Sequence, residues 1–117
     1  AARQAFPSRR LVALFQPHLY SRTREHGATM GRALAVADLV LVTDVYGARE
    51  QPEAGVSGQL VADAATAAGA DVSYLETRST LAEHTASLLR DGDVLLTLGA
   101  GDITLVGPRV RQLLAAR

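Results

Sequence analysis

A three-layer α/β domain with a mainly parallel sheet is what this sequence predicts, and three features carry the prediction. Short apolar runs recur at about 11–16, 38–43, 71–75 and 93–98, separated by alanine-rich stretches with helical spacing. The runs are near-continuous rather than alternating, the pattern of strands covered on both faces. Strands alternating with helices require right-handed crossovers, which put helices on both sides of the sheet.

The whole chain sets the bounds. At 117 residues it is one domain, long enough to build a core without staples. Twelve basic and twelve acidic residues cancel, so no overall field argues for nucleic acid or a membrane surface as partner. The absence of cysteine excludes a disulfide framework, a thiol nucleophile and cysteine-ligated zinc. No apolar run approaches the roughly 20 residues of a membrane span, and no signal peptide is visible. The opening Ala1-Ala2-Arg3-Gln4-Ala5-Phe6-Pro7 reads as the last turns of a helix that begins upstream, so the chain reads as a piece of a longer protein.

Leu11-Val12-Ala13-Leu14-Phe15 is the first strand, bounded by Arg9-Arg10 and Gln16-Pro17. Ser21 or Thr23 can cap the next helix by accepting a hydrogen bond from an orphan amide, and Gly27, Met30, Leu34 and Ala37 share its inner face. Leu39 to Thr43 is the second buried strand. The polar loop that follows, Asp44 to about Val56, exceeds the usual strand-to-helix connection. Ser57 can cap a helix whose face is Leu60, Val61, Ala64, Ala65 and Ala68, stopped near Gly69. Asp71 to Leu75 is a weaker third strand. Thr80 and Glu83 have capping-box spacing and open a helix with Leu81, Thr85, Leu88 and Leu89 inward, ended by Asp91-Gly92. Val94 to Leu98 reads as a fourth buried strand, followed by Gly99-Ala100-Gly101-Asp102, a short turn over 102–106 and a helix from about Pro108.

With the first strand central, the expected order is 3-2-1-4. The chain then reverses direction between the first and fourth strands, where ligands bind outside the carboxyl ends. Two stretches meet there: Gln16-Pro17-His18-Leu19-Tyr20-Ser21-Arg22-Thr23-Arg24 and Gly99-Ala100-Gly101-Asp102. The first is dense in donors. Arg22 and Arg24 at a helix start suit an anion, through a guanidinium fork and free helix donors; the competing reading is an exposed pair in weak salt bridges with Glu25 or nearby acids. His18 can carry a proton or donate to an anion. No partner at ligand spacing suggests a metal site. His26 and His84 fall inside helices and are assigned to structure. The glycines of the second stretch let backbone approach a ligand closely, although Asp102 is equally a turn cap. The loop residues Asp44, Tyr46, Arg49 and Glu50 suit either closure over a ligand or docking on another domain. No P-loop sequence and no nucleophile–base–acid triad is present.

Phe15–Thr23 (FQPHLYSRT), Asp44–Pro52 (DVYGAREQP) and Leu98–Ile103 (LGAGDI), in this order and spacing, resemble the C-terminal domain of the Mur ligases over nearly the whole chain. The second stretch is similar to actinobacterial members of the branch that joins L-alanine to UDP-N-acetylmuramate. The resemblance implies a Rossmann-like fold for residues 1–117, as the amino-acid-binding domain of a three-domain cytoplasmic enzyme of peptidoglycan biosynthesis. Its partners would be the N-terminal and central domains. The family uses ATP and magnesium, held mainly by the central domain, to activate the muramate carboxylate as an acyl phosphate. Attack by the amine of L-alanine then gives the amide, ADP and phosphate. By this resemblance His18, Tyr20, Ser21, Arg22, Thr23 and Arg24 are substrate-binding. Asp44, Tyr46, Arg49, Glu50, Gly99, Gly101 and Asp102 would form the active-site loop and interdomain face. No catalytic residue is assigned within the chain, and the domain alone is expected to be inactive. Two departures stand out: Leu19 occupies a place that is basic in many members, and the Asp-Tyr-x-His-His-Pro segment that opens the family's domain would precede Ala1. The alternatives are the sister ligase that reattaches murein tripeptide to the same sugar, and a stand-alone module for a nucleotide or other anion.

Overall fold

β1 (Leu11–Phe15), β2 (Leu39–Thr43), β3 (Val72–Leu75) and β4 (Val94–Leu98) pair as one parallel sheet in the order β3-β2-β1-β4. The computed structural model describes residues 2–5, 7–76, 78–99 and 101–117; the side chains of Ala2, Arg3, Arg78 and Asp102 lie outside that description. The expected order is therefore the observed one, and the strand bounds agree to within a residue.

Alternation along the two central strands builds two cores. Val12, Leu14, Leu39 and Leu41 point to one face, against Leu81, Ala82 and Ala86 of α4 (Leu81–Leu88) and Val110 of α5 (Val106–Ala115). Leu11, Ala13, Val40 and Val42 point to the other, against Leu34 of α2 (Tyr20–Leu34) and Val61 and Ala62 of α3 (Gly58–Ala67). The short α1 (Ala2–Ala5) precedes the sheet. Leu14 and Leu41 are wholly buried, each worth about 2–3 kcal/mol of apolar transfer. Helices α2 and α3 approach closely because Gly31 faces α3: a β-carbon there would stand 2.6 Å from the Ala64 methyl and crowd the Val61 carbonyl.

The structure corrects several local expectations. β4 is half-buried to exposed rather than buried, because it lies at the edge of the sheet. Neither Ser21 nor Thr23 caps α2. That helix starts at Tyr20 behind Leu19, which supplies no side-chain cap, and Thr23 is buried with its hydroxyl donating to the Leu19 carbonyl at 2.8 Å. Thr80 makes no capping bond either; a 3-10 turn, Arg78–Thr80, leads into α4 instead. Ser57 does cap α3, its oxygen accepting from the Gln59 amide at 3.1 Å, but the helix buries Ala62 and leaves Ala68 exposed. A 3-10 turn, Asp102–Leu105, runs into α5 at Val106, so Pro108 is already inside that helix.

Candidate functional site

Beyond the carboxyl ends of β1 and β2 the chain stays paired for one more step. The Tyr46 amide donates to the Pro17 carbonyl at 2.8 Å, and the Leu19 amide donates to the Tyr46 carbonyl at 2.9 Å. This isolated parallel bridge joins His18 to Tyr46 and stacks their rings, with centroids 5.9 Å apart and planes 17° from parallel. The cost falls on Leu19, held at φ 67°, a region a bulky side chain rarely adopts. That strain turns the backbone from the bridge directly into α2.

Glycines let the three polar stretches interlock. At Gly99 a β-carbon would lie 2.6 Å from the Gln16 carbonyl oxygen, and at Gly101 2.6 Å from the Tyr46 ring. Gly47 stands equally close to the Tyr20 ring. Gly101 thus backs the ring on which His18 stacks.

The helix N-termini next to this crevice are filled by the protein's own carboxylates. Glu50 accepts from the Ser21 amide at 3.0 Å and from the Ser21 hydroxyl at 2.5 Å, so it, and not an external anion, sits at the start of α2. These bonds hold the Glu50 carboxyl below its ordinary range, the Ser21 hydroxyl contributing most. Asp44 accepts from the Val45 amide at 2.8 Å and the Gly58 amide at 3.1 Å, which places it at the start of α3. Burial first, and then the Asp44 charge, push the nearby Tyr74 phenol upward.

The open anion-seeking groups lie on the flank of α2. A cleft of about 290 Å³ between that flank and the strand ends is lined by His18, Arg22 and His26, over Phe15 and Met30, with Gln16 and Gly99 at its side. Arg24 is not among them: it pairs with Glu53 at 2.5 Å and with Glu25 at 3.6 Å. Arg22 is exposed and makes no ion pair among the described residues. A second hollow, of about 320 Å³, opens on the other core beside Leu81, Ile103 and Leu105. The charges described there, Glu83 and Arg109, are 3.7 Å apart and compensate one another, so the cleft whose guanidinium has no ion pair among the described residues is the candidate site.

A family model described as Mur ligase, glutamate ligase domain, matches residues 1–101. The chain belongs to the Mur ligase C-terminal domain family. It is 54% identical over 117 residues to the UDP-N-acetylmuramate–L-alanine ligase of Kineococcus radiotolerans, covering 100% of this chain and 25% of that protein. Over 101 residues it is 55% identical to the ligase of the same name from Mycolicibacterium smegmatis, covering 86% of this chain and 20% of that one. The chain thus spans about a quarter of the length of these relatives. Among solved structures, a murein peptide ligase from Psychrobacter arcticus shares the fold, with a TM-score of 0.74 at 17% identity over 99% of this chain and 24% of that one.

Within this Mur ligase domain, the residues expected to bind substrate divide by their partners. His18 and Arg22 line the cleft; Tyr20 packs on Gly47, Ser21 serves Glu50, Thr23 serves Leu19 and Arg24 serves Glu53. Of the loop residues, Tyr46 supports His18, Glu50 and Asp44 close helix starts, and Arg49 is exposed. Ala100 and the Asp102 carboxylate lie outside the described residues. His26, which the sequence reading assigned to structure, lines the same cleft. On α2, Arg22, His26 and Met30 follow one another at a spacing of four and share one stripe, with His18 in the turn before the helix. The residues present do not fit an ATP–magnesium site of their own. No P-loop sequence occurs, and no group of His, Asp and Glu among the described residues could hold a metal ion. No helix among them is long and apolar enough to cross a membrane.

Proposed function

We propose that this chain is the amino-acid-side wall of a three-domain cytoplasmic ligase that joins L-alanine to UDP-N-acetylmuramate in peptidoglycan biosynthesis. ATP and magnesium would be held mainly by the central domain and would supply the acyl phosphate. One observation carries the reading: an arginine with no ion pair among the described residues and a ring-stacked histidine share a cleft at the reversal point of the sheet, in a domain about half identical to ligases of that name. Arg22 takes the carboxylate of the amino acid through its planar fork, and His18 adds a donor whose orientation Tyr46 sets. Their contribution is orientation and charge stabilisation rather than covalent chemistry; the Ser21 hydroxyl is committed to Glu50.

The test is Arg22→Ala in the intact ligase. The KM for L-alanine should rise by about 10- to 100-fold, the scale of a lost charge-assisted contact. Unchanged kinetics for both L-alanine and the UDP-sugar would remove the assignment. The 117-residue chain alone should form no UDP-N-acetylmuramoyl-alanine. Supplying murein tripeptide against L-alanine to the intact protein separates this ligase from its sister, and the names of the relatives about half identical to the chain favour L-alanine.

A further inference from the structure

We propose that His26 is a further anion-contacting residue of the cleft on α2, and that with the apolar floor it favours a carboxylate carrying a compact apolar body. The inference rests on reading the cleft as substrate-facing. Arg22 and His26 are one helical turn apart, so their side chains rise side by side, roughly 5–6 Å between β-carbons. Met30 continues the stripe and, with Phe15, lines the same cleft. Among the described residues no carboxylate lines it.

Among the described residues the charged neighbours of His26 are few. Glu25 lies 3.7 Å from its Nε2 in an exposed pair with side chains 61% and 64% accessible, too open to the solvent to neutralise it firmly. Arg22, also on α2, and His18, from the turn before it, face the same space. A protonated imidazole donates through both nitrogens. With Nε2 turned to Glu25, Nδ1 is left for an anion already seated on the Arg22 fork. An apolar group on that anion would lie over Phe15 and Met30, where a fully hydrated ion such as phosphate gains nothing.

The experiment uses the 117-residue chain at low ionic strength, with propionate as the probe and inorganic phosphate as its comparison, followed by NMR at about pH 5.5 and 7.5, across the range in which imidazoles change charge. Propionate should shift the signals of His18, Arg22 and His26 saturably, more tightly at the lower pH and more tightly than phosphate. His26→Ala should weaken propionate about fivefold at the lower pH, the order of one exposed charge-assisted bond, and reduce the pH dependence. His26→Gln should recover part of the affinity without restoring that dependence. His84→Ala, on α4, should change nothing. Binding by His26→Ala within about twofold of the parent chain, shifts centred elsewhere, or phosphate bound more tightly than propionate would each overturn the proposal. The readout is independent of the ligase assay: a normal propionate response alongside unaltered Arg22→Ala kinetics would remove L-alanine from the cleft and leave His26 as an anion contact.

Discussion

Both carboxylate oxygens of Glu50 are engaged by Ser21, one by its amide at 3.0 Å and the other by its hydroxyl at 2.5 Å. A residue 29 positions away thereby supplies the cap that Leu19 cannot. The same pair pins the loop after β2 to the start of α2, and with it Tyr46 against His18.

Acid should therefore loosen this corner. The Glu50 carboxyl is held below its ordinary range chiefly by the Ser21 hydroxyl. Its stabilising contribution is complete above the ordinary carboxylate value and is lost as pH falls through the lowered one. Melting curves between about pH 6 and 3 should show a smaller loss of Tm for Glu50→Gln than for the parent chain, because the variant has already given up the bond. Parallel curves would contradict the link.

A second carboxylate holds the opposite end of the sheet. Asp93 receives Arg10 Nε at 3.1 Å, Arg10 Nη2 at 2.6 Å and the Arg90 amide at 2.8 Å, and the same guanidinium donates to the Leu88 carbonyl at 2.7 Å. Arg10 is raised and Asp93 lowered in pKa, each chiefly by their mutual hydrogen bond. Asp93→Ala strands a part-buried cation and should cost about 2–4 kcal/mol in urea denaturation. Arg10→Ala combined with it should cost less than the two separately. Simple additivity would show that the pair is not coupled.

Gly101 and Gly92 separate backbone strain from site packing. Both have positive φ, 90° and 87°, but a β-carbon on Gly92 meets open space and one on Gly101 meets the Tyr46 ring. Alanine at Gly92 should cost about 1 kcal/mol from conformation alone. Alanine at Gly101 should cost more and also move the NMR signals of the His18 ring. Equal costs with an undisturbed His18 would refute the contact.

Gly31 tests the helix pair. Valine there would drive α2 off the Val61 carbonyl and the Ala64 methyl, and should destabilise the chain by about 3 kcal/mol or more as judged by Cm in urea. A loss below about 1 kcal/mol would mean that the two helices separate easily.

Much of this was legible in the residues. Val12 to Leu14 and Val40 to Val42 are apolar at every position, which identifies buried parallel strands and, with their spacing, the sheet order. The crevice was legible too, because strand direction alone places His18 and Gly99 at the same end. The candidate site residues were readable as a set of donors but not as an arrangement. Ser21 looked like a cap and Arg24 like an anion ligand; their partners, Glu50 and Glu53, are each 29 positions distant.

Sequence by itself determined the strands, their order and the end of the sheet where the polar stretches meet, because periodicity and composition are properties of neighbours along the chain; the family came separately, from the resemblance of three motifs in order. Tertiary structure alone decided which polar groups remain open. Glu50 and Asp44 satisfy the helix starts, Glu53 takes Arg24, and Tyr46 orients His18, which leaves Arg22 and His26 facing the cleft. The physical reason is that hydrogen bonding is pairwise and saturable: a donor's availability depends on acceptors brought to it through space, and these come from loops whose course the local sequence does not encode.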